Sequence, residues 1–230
     1  MARSESEFLD DALSSSPIFG LLPPEERAAF GKTASRIHCR ERTVLAGYEV
    51  SPDSLYLVAA GQIELTAHSF GGSEVTIAAI GPGNWATWLA IYDDSPLSHA
   101  IVAAPGTRLF ALPTRAVRNA VATTPECYPE IIRQVGNRFR SLLDWVENSA
   151  LADRERRLAH LLLVLADTSG GDSRTVFLTR ERIAQLMGCS RQTLHDTFGK
   201  LAARGLAKSQ YSRVTLPDRA ALQAFARSGD

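Results

Sequence analysis

The chain has 230 residues, an apolar fraction of 45%, and 25 Lys and Arg against 25 Asp and Glu. That length accommodates one large or two modest domains, and no apolar run approaches the roughly 20 residues that a membrane-spanning helix needs. Zero net charge speaks against a nucleic-acid partner until the chain is divided: residues 1–150 hold 12 Lys and Arg against 17 Asp and Glu (−5), and residues 151–230 hold 13 against 8 (+5). A basic C-terminal half fits a polyanion, while an uneven but merely solvated surface is the bland alternative.

The chain begins MARSESEFLDD, without the apolar segment of a signal peptide, so a cytoplasmic protein is expected. Residues 1–35 read as helical at the edges, with a turn at Pro17-Ile18-Phe19 and a short helix opened by Pro23-Pro24-Glu25-Glu26. From Ser35 to Pro113 short β runs alternate with turn residues. Strands are expected over 36–40, 43–45, 55–60, 62–67, 74–80, 99–103 and 107–112. Turns are expected at Ala46-Gly47, Gly71-Gly72, Gly81-Pro82-Gly83 and Pro105-Gly106, and Gly61 closes a tight hairpin. Many short strands at this spacing indicate a barrel or jelly roll rather than a parallel sheet.

Thr114 is expected to cap a short helix, and a long helix follows from about Pro125 to Leu151. Along it Ile132, Val135, Phe139, Leu142, Val146 and Ser149 recur at steps of three and four, the spacing of a seam that packs against an equivalent helix. The seam could instead lie on the chain's own β domain. A small barrel cannot cover so long and narrow a stripe, so a parallel homodimer is expected. Asp153–Asp167 starts another helix, polar and then apolar, and the domain boundary is placed near 150–153. Residues 168–173 read as a loop. After Gly205, residues 207–209 and 213–216 read as a two-stranded wing with Gln210-Tyr211-Ser212 at its tip, and Pro217-Asp218 opens a last helix through Phe225.

Between these lies Leu178–Leu206, reading LTRERIAQLMGCSRQTLHDTFGKLAARGL. Thr179 is an N-cap residue, and Ile183, Ala184, Leu186 and Met187 give the helix behind it an apolar face. Gly188 takes the corner, and Ser190 caps a second helix whose apolar side is Leu194, Phe198, Leu201 and Ala202. Small Ala184, turning Gly188 and apolar Leu194 form the contact triad of a helix-turn-helix. Two bare bundle helices could share that pattern, but exposed Arg, Gln and Thr beside the second cap favour DNA reading.

The run Leu178-Thr179-Arg180, Ile183-Ala184 and Gly188-Cys189-Ser190-Arg191-Gln192-Thr193 resembles the helix-turn-helix signature of the Crp/Fnr transcription regulators. Leu55-Tyr56-Leu57-Val58-Ala59-Ala60-Gly61-Gln62-Ile63 resembles a strand pair of cyclic-nucleotide-binding domains. The resemblance implies an α+β chain in three parts. Residues 1–124 form a β-roll or jelly-roll sensor with flanking helices, 125–152 a dimerisation helix, and 153–230 a winged helix-turn-helix.

The family's sensor implies a Glu for the ribose hydroxyl and an Arg for the cyclic phosphate, a planar permanent cation being the fitting partner for a desolvated phosphate. These positions fall here on Trp88 and on Leu97 or Ser98, and no Arg lies between Arg42 and Arg108. The family's adenine-facing hydroxyls fall on Leu142 and Leu143. Binding of cAMP in the usual mode is therefore not expected. Trp85, Trp88 and Tyr92, beside Ser98 and His99, either fill the vacated pocket as core or line a site for an apolar or larger effector. His99 alone is a weak metal ligand. Cys39, Cys127 and Cys189 form no C-x-x-C pair, which argues against a disulfide framework or a local metal site. The family's iron–sulfur branch implies several Cys near the N-terminus, where only Cys39 lies in the first 120 residues, so no cluster is expected, and Cys189 is expected to be a small buried residue. No cofactor or metal is expected, and no phosphate loop or nucleophile elbow suggests an enzyme.

On the DNA side, Arg191, Gln192 and His195 are the expected base readers. Arg191 can clamp the O6 and N7 of a guanine, and Gln192 the N6 and N7 of an adenine. The family usually has Glu at the position of Gln192 and often Arg at that of Asp196, so an altered half-site is expected. Asp196 either accepts from a cytosine amino group or pairs with Lys200 or Arg204. Thr179, Arg180, Ser190, Thr193 and Arg213 are the expected phosphate contacts. The partners implied are double-stranded DNA, a second copy of the chain and, for an activator, RNA polymerase. A signalling module with weakened DNA binding is the alternative, supported by Asp196 and by Gly199, which costs a helix about 1 kcal/mol relative to Ala.

Overall fold

The computed structural model of the protein describes residues 5–68, 74–93, 95–151, 153–168, 174–210 and 213–227. Gly71-Gly72, most of the loop expected at 168–173, Ala152 at the expected domain boundary, and Tyr211 and Ser212 at the wing tip lie outside the described residues. The chain divides into two compact units, Met1–Val75 with Ile80–Val135, and Thr76–Ala79 with Gly136–Asp230.

In the first unit, helices α1 (Glu5–Ser15) and α2 (Pro24–Thr33) flank a 3-10 turn at Phe19–Leu21. Pro24 opens α2, where its missing N–H is not needed, and Glu25 and Glu26 occupy the positive first turn. Then come strands β1 (Ser35–Cys39), β2 (Thr43–Ala46), β3 (Ser54–Ala60), β4 (Ile63–His68), β5 (Glu74–Ile80) and β6 (Trp85–Ala86). Helix α3 (Trp88–Asp93) precedes β7 (Ala100–Ala103) and β8 (Thr107–Pro113). Two four-stranded sheets result, in the orders β1-β8-β3-β6 and β2-β7-β4-β5, as a roll rather than a parallel fold requires. The expected strands are present within two residues. Strand β6 and helix α3 were not expected, because two and six residues are too short to show a period.

Gly61 joins β3 to β4 at φ +78, and a Cβ there would stand 2.6 Å from Thr107 Oγ1 and 2.7 Å from its Cα. Only glycine satisfies both the turn and this close approach. Along β3 the side chains alternate between two sides. Leu55 and Leu57 enter a core cluster with Leu9, Leu13, Phe19, Phe30, Phe110 and Leu112, whereas the Tyr56 hydroxyl donates to the Leu45 carbonyl at 3.5 Å.

Helix α4 (Thr114–Ala122) corrects one expectation. Its N-cap is Pro113, without a side-chain cap. The Thr114 hydroxyl donates instead to the Pro52 carbonyl at 3.0 Å and its N–H to Asp53 O at 2.8 Å, tying the helix start to the chain before β3.

Helix α5 (Cys127–Leu151) is one continuous element of 25 residues. Cys127 and Ile131 are buried in the cluster just described. The seam is not covered: Ile132 is 70% exposed, Val135 37%, Phe139 59%, Leu142 51% and Val146 61%, and Leu143 beside them 45%. The Ser149 side chain lies outside the described residues.

In the second unit, α6 (Arg154–Thr168) starts at Asp153, whose Oδ1 accepts from Glu155 N and Arg156 N, both at 2.9 Å. The apolar run in α6 is core, with Leu158, Ala159, Leu162 and Ala166 fully buried. The remaining elements are β9 (Thr175–Val176), α7 (Arg180–Met187), α8 (Arg191–Ala203), β10 (Lys208–Gln210), β11 (Arg213–Thr215) and α9 (Arg219–Arg227). The wing has three strands, order β10-β11-β9, rather than the two expected. Asp218 Oδ1 caps α9 by accepting from Ala221 N at 2.9 Å. The fold is α+β: a β-roll with flanking helices, a long helix and a winged helix-turn-helix.

Candidate nucleic-acid interface

The two caps are as expected. Thr179 Oγ1 accepts from Arg182 N at 3.4 Å, and Ser190 Oγ accepts from Thr193 N at 3.1 Å. Between them Gly188 ends α7 in the left-handed region at φ +63, its N–H bonding the Gln185 carbonyl at 3.1 Å. Ala184 and Leu194 are buried at the crossing. On α8 Leu194, Phe198 and Leu201 are buried as expected, but Ala202 is exposed and the fourth buried position is Thr197. Its hydroxyl donates to the Thr193 carbonyl at 2.7 Å, which removes the polar penalty of burial. Cys189 is half-buried rather than buried.

The opposite face carries the polar set. Arg191, Gln192, His195 and Asp196 are exposed on the first turns of α8, and Thr193 is half-buried with its hydroxyl 2.8 Å from Ser190 Oγ. A cavity of about 670 Å³ is lined by Thr179, Arg180, Glu181, Arg191, Leu194, His195, Ser209 and Gln210, so four of the expected contacts, Thr179, Arg180, Arg191 and His195, share it. Arg180 organises one wall. Its Nε donates to Ser209 Oγ at 2.7 Å, an Nη lies 3.3 Å from His195 Nδ1, and its guanidinium sits 5.5 Å from the Phe198 ring centroid. Arg213 Nε donates to Gln210 Oε1 at 2.5 Å on the wing.

Three partners were not anticipated. Glu181 forms an ion pair with Arg191, and Ser209 and Gln210 hold Arg180 and Arg213. Each joins residues of different elements, which spacing along one helix does not reveal. Asp196 also corrects an expectation: it pairs with neither Lys200 nor Arg204. Both cations go to Glu155 of α6, with N–O distances of 2.7 Å, and Asp196 Oδ1 accepts from Gln192 Nε2 at 3.0 Å. The hydrogen bond from Lys200, with the charges of Lys200 and Arg204, holds the Glu155 carboxyl below the usual carboxylate range against its desolvation.

In the roll, Trp88 is buried and Trp85 and Tyr92 pack partly buried against the same helical cluster. The Trp85 ring lies 5.0 Å from that of Phe19, and Trp88 and Tyr92 stand edge-on at 6.4 Å. Burial holds the Tyr92 phenol well above its ordinary range. Leu97 is buried, Ser98 is exposed, and Ser98 Oγ lies 3.1 Å from His99 Nδ1, whose imidazole burial pushes down. Trp88 therefore belongs to the core that joins α1, α2 and α4 to the β1-β8-β3-β6 sheet, and Trp85 and Tyr92 pack against it. Among the described residues, no group of three or more His, Cys, Asp and Glu could hold a metal ion, and no helix is long and apolar enough to cross a membrane.

Residues 156–225 match the family described as the Crp-like helix-turn-helix domain, and residues 36–124 match the cyclic nucleotide-binding domain. The chain is 28% identical over 225 residues to the CRP-like cAMP-activated global transcriptional regulator of Mycobacterium tuberculosis, covering 95% of this chain and 100% of that one. It is 26% identical over 216 residues to the cyclic AMP receptor protein of Thermus thermophilus, covering 93% and 98%. In fold it is similar to FixK2 of Bradyrhizobium japonicum, at 16% identity, with a TM-score of 0.59 over 86% of this chain and 99% of that one.

Proposed function

We infer that this chain, which belongs to the Crp/Fnr family of transcription regulators, acts as a homodimer on a two-fold symmetric operator whose half-sites lie about one helical turn apart. The observation that carries this reading is the exposed face of α8, where Arg191, Gln192 and His195 stand beside the positive N-terminal turn, with Thr179 and Arg180 lining the same cavity as Arg191 and His195, and Arg213 bonded to Gln210 of its wall. The uncovered apolar seam Ile132-Val135-Phe139-Leu142-Val146 supports the dimer, since a stripe of that length is stable in water only when covered. In this reading residues 1–124 are the sensor, 125–152 the dimerisation helix and 153–230 the reader.

Control by cAMP in the family's usual mode does not fit these residues. The two named relatives are a cAMP-activated regulator and a cyclic AMP receptor protein. Here no Arg or Lys lies between Arg42 and Arg108, Trp88 is committed to core, and Leu97 is buried. An effector, where one acts, is of another class. Selection on randomised duplexes, followed by gel shift, tests the reading. Enrichment of a palindrome supports it, and no enrichment with a binding-competent fold assigns the chain to a signalling module without DNA output.

A further inference from the structure

We propose that Asp196 is a positioning residue for base reading: it sets the orientation of the Gln192 amide, and through it the base preference at one position of each half-site. This rests on the reading of α8 as the DNA-recognition helix. An ionised carboxylate accepts hydrogen bonds and cannot donate, so the 3.0 Å contact between the two side chains must use the Gln192 NH₂ group. The amide is thereby fixed with its nitrogen toward Asp196 and its Oε1 turned away, and one N–H remains free beside that oxygen. This is the pattern that adenine's N6 and N7 require, one acceptor and one donor side by side.

Two features leave Asp196 free for this task. Lys200, four residues further along the helix and the natural partner for a carboxylate there, is bound to Glu155 at 2.7 Å, as is Arg204. His195 beside it is engaged with Arg180. Gln192 and Asp196 are themselves exposed and four residues apart, so the pair lies on the face that would meet a groove. A negative charge on that face weakens binding to every sequence alike, which is the reason to expect a compensating gain in selectivity.

The test uses the full-length protein and half-sites randomised at each position, with Asp196→Ala, Asp196→Asn and Gln192→Ala variants and the Asp196→Ala/Gln192→Ala pair. The parent prefers an A·T pair at the Gln192 position. Asp196→Ala lowers that preference about fivefold to tenfold and leaves the guanine preference opposite Arg191 intact. Asp196→Asn retains an acceptor and restores the adenine preference, although both variants remove the same charge. In the Gln192→Ala background, Asp196→Ala changes no base preference. Equal behaviour of the Ala and Asn variants, with base preferences unchanged, would reduce Asp196 to a charge effect and overturn the proposal. A changed base preference in the Gln192→Ala background would make Asp196 a direct reader and overturn it as well. Failure of the parent to select any palindrome overturns the DNA-reading assignment, and this proposal with it.

Discussion

Arg138 of the long helix donates from Nη2 to the backbone carbonyl of Asp167 at 3.1 Å, while the Asp167 carboxylate holds Arg219 of the last helix at 2.5 Å. One residue at the end of α6 thus ties α5 and α9 together within the second unit. Burial pushes the Arg138 guanidinium down to about 10, against the Asp167 charge, so the carboxylate is compensating a desolvated cation. Replacing Asp167 by Asn leaves that cation less compensated, and we expect a loss of about 1.5–3 kcal/mol, read as a lower urea midpoint at unchanged slope.

Glu155 makes the stability of the second unit pH-dependent. A carboxyl held below its ordinary value contributes stability above the unfolded pKa, about 4.3 for Glu, and loses it as the pH falls through the lower folded value. The difference in stability between the parent and Glu155→Gln is therefore expected to be constant above about pH 5.5 and to shrink below about pH 4.3. Thermal melts across that range decide it; a difference that persists at low pH would show that the Lys200 and Arg204 contacts do not act through the charge.

Arg191 and Arg213 are expected to fail differently. Arg191→Ala should cost about 1–3 kcal/mol of discrimination at one guanine and relax selectivity there. Arg213→Ala should weaken all sequences alike and lower the salt slope of binding by about one. Titrations of operator and scrambled duplex at several salt concentrations separate the two patterns.

The uncovered seam of α5 predicts an association that a charge would break. Phe139→Asp is expected to sediment as a monomer where the parent is a dimer, and to lose about 10²–10⁴-fold in operator affinity because the two half-sites are no longer engaged together. Unchanged sedimentation would mean that something other than this stripe joins the subunits.

The roll predicts a negative result and a structural one. Calorimetric titration with cAMP should show no tight binding. Trp88→Ala should cost about 3–5 kcal/mol by opening a cavity in the helical cluster, with no gain or loss of a nucleotide site. Tight cAMP binding by the parent would sink the argument from the missing arginine.

Local chemistry alone determined much of this protein. Cap residues Thr179 and Ser190, turning Gly188 and Gly61, and the spacing of the α5 seam were readable because caps, positive φ and helical period are properties of a few adjacent residues. The strands of the roll followed from alternation between turn residues, and β6 and α3 were missed because they are too short to alternate.

Tertiary structure decided what pairs across elements. Thr114, a cap by sequence, bonds Pro52 instead, 62 residues away. Asp196, expected to hold Lys200 or Arg204, lost both to Glu155, which lies 45 and 49 residues earlier in the chain. That Trp88 is buried, with Trp85 and Tyr92 packed against the same cluster, depended on where α1 and α2 close over the sheet. The physical reason is common to all three. A side chain takes the best partner that folding brings within reach, and sequence spacing lists only the candidates on its own helix or strand.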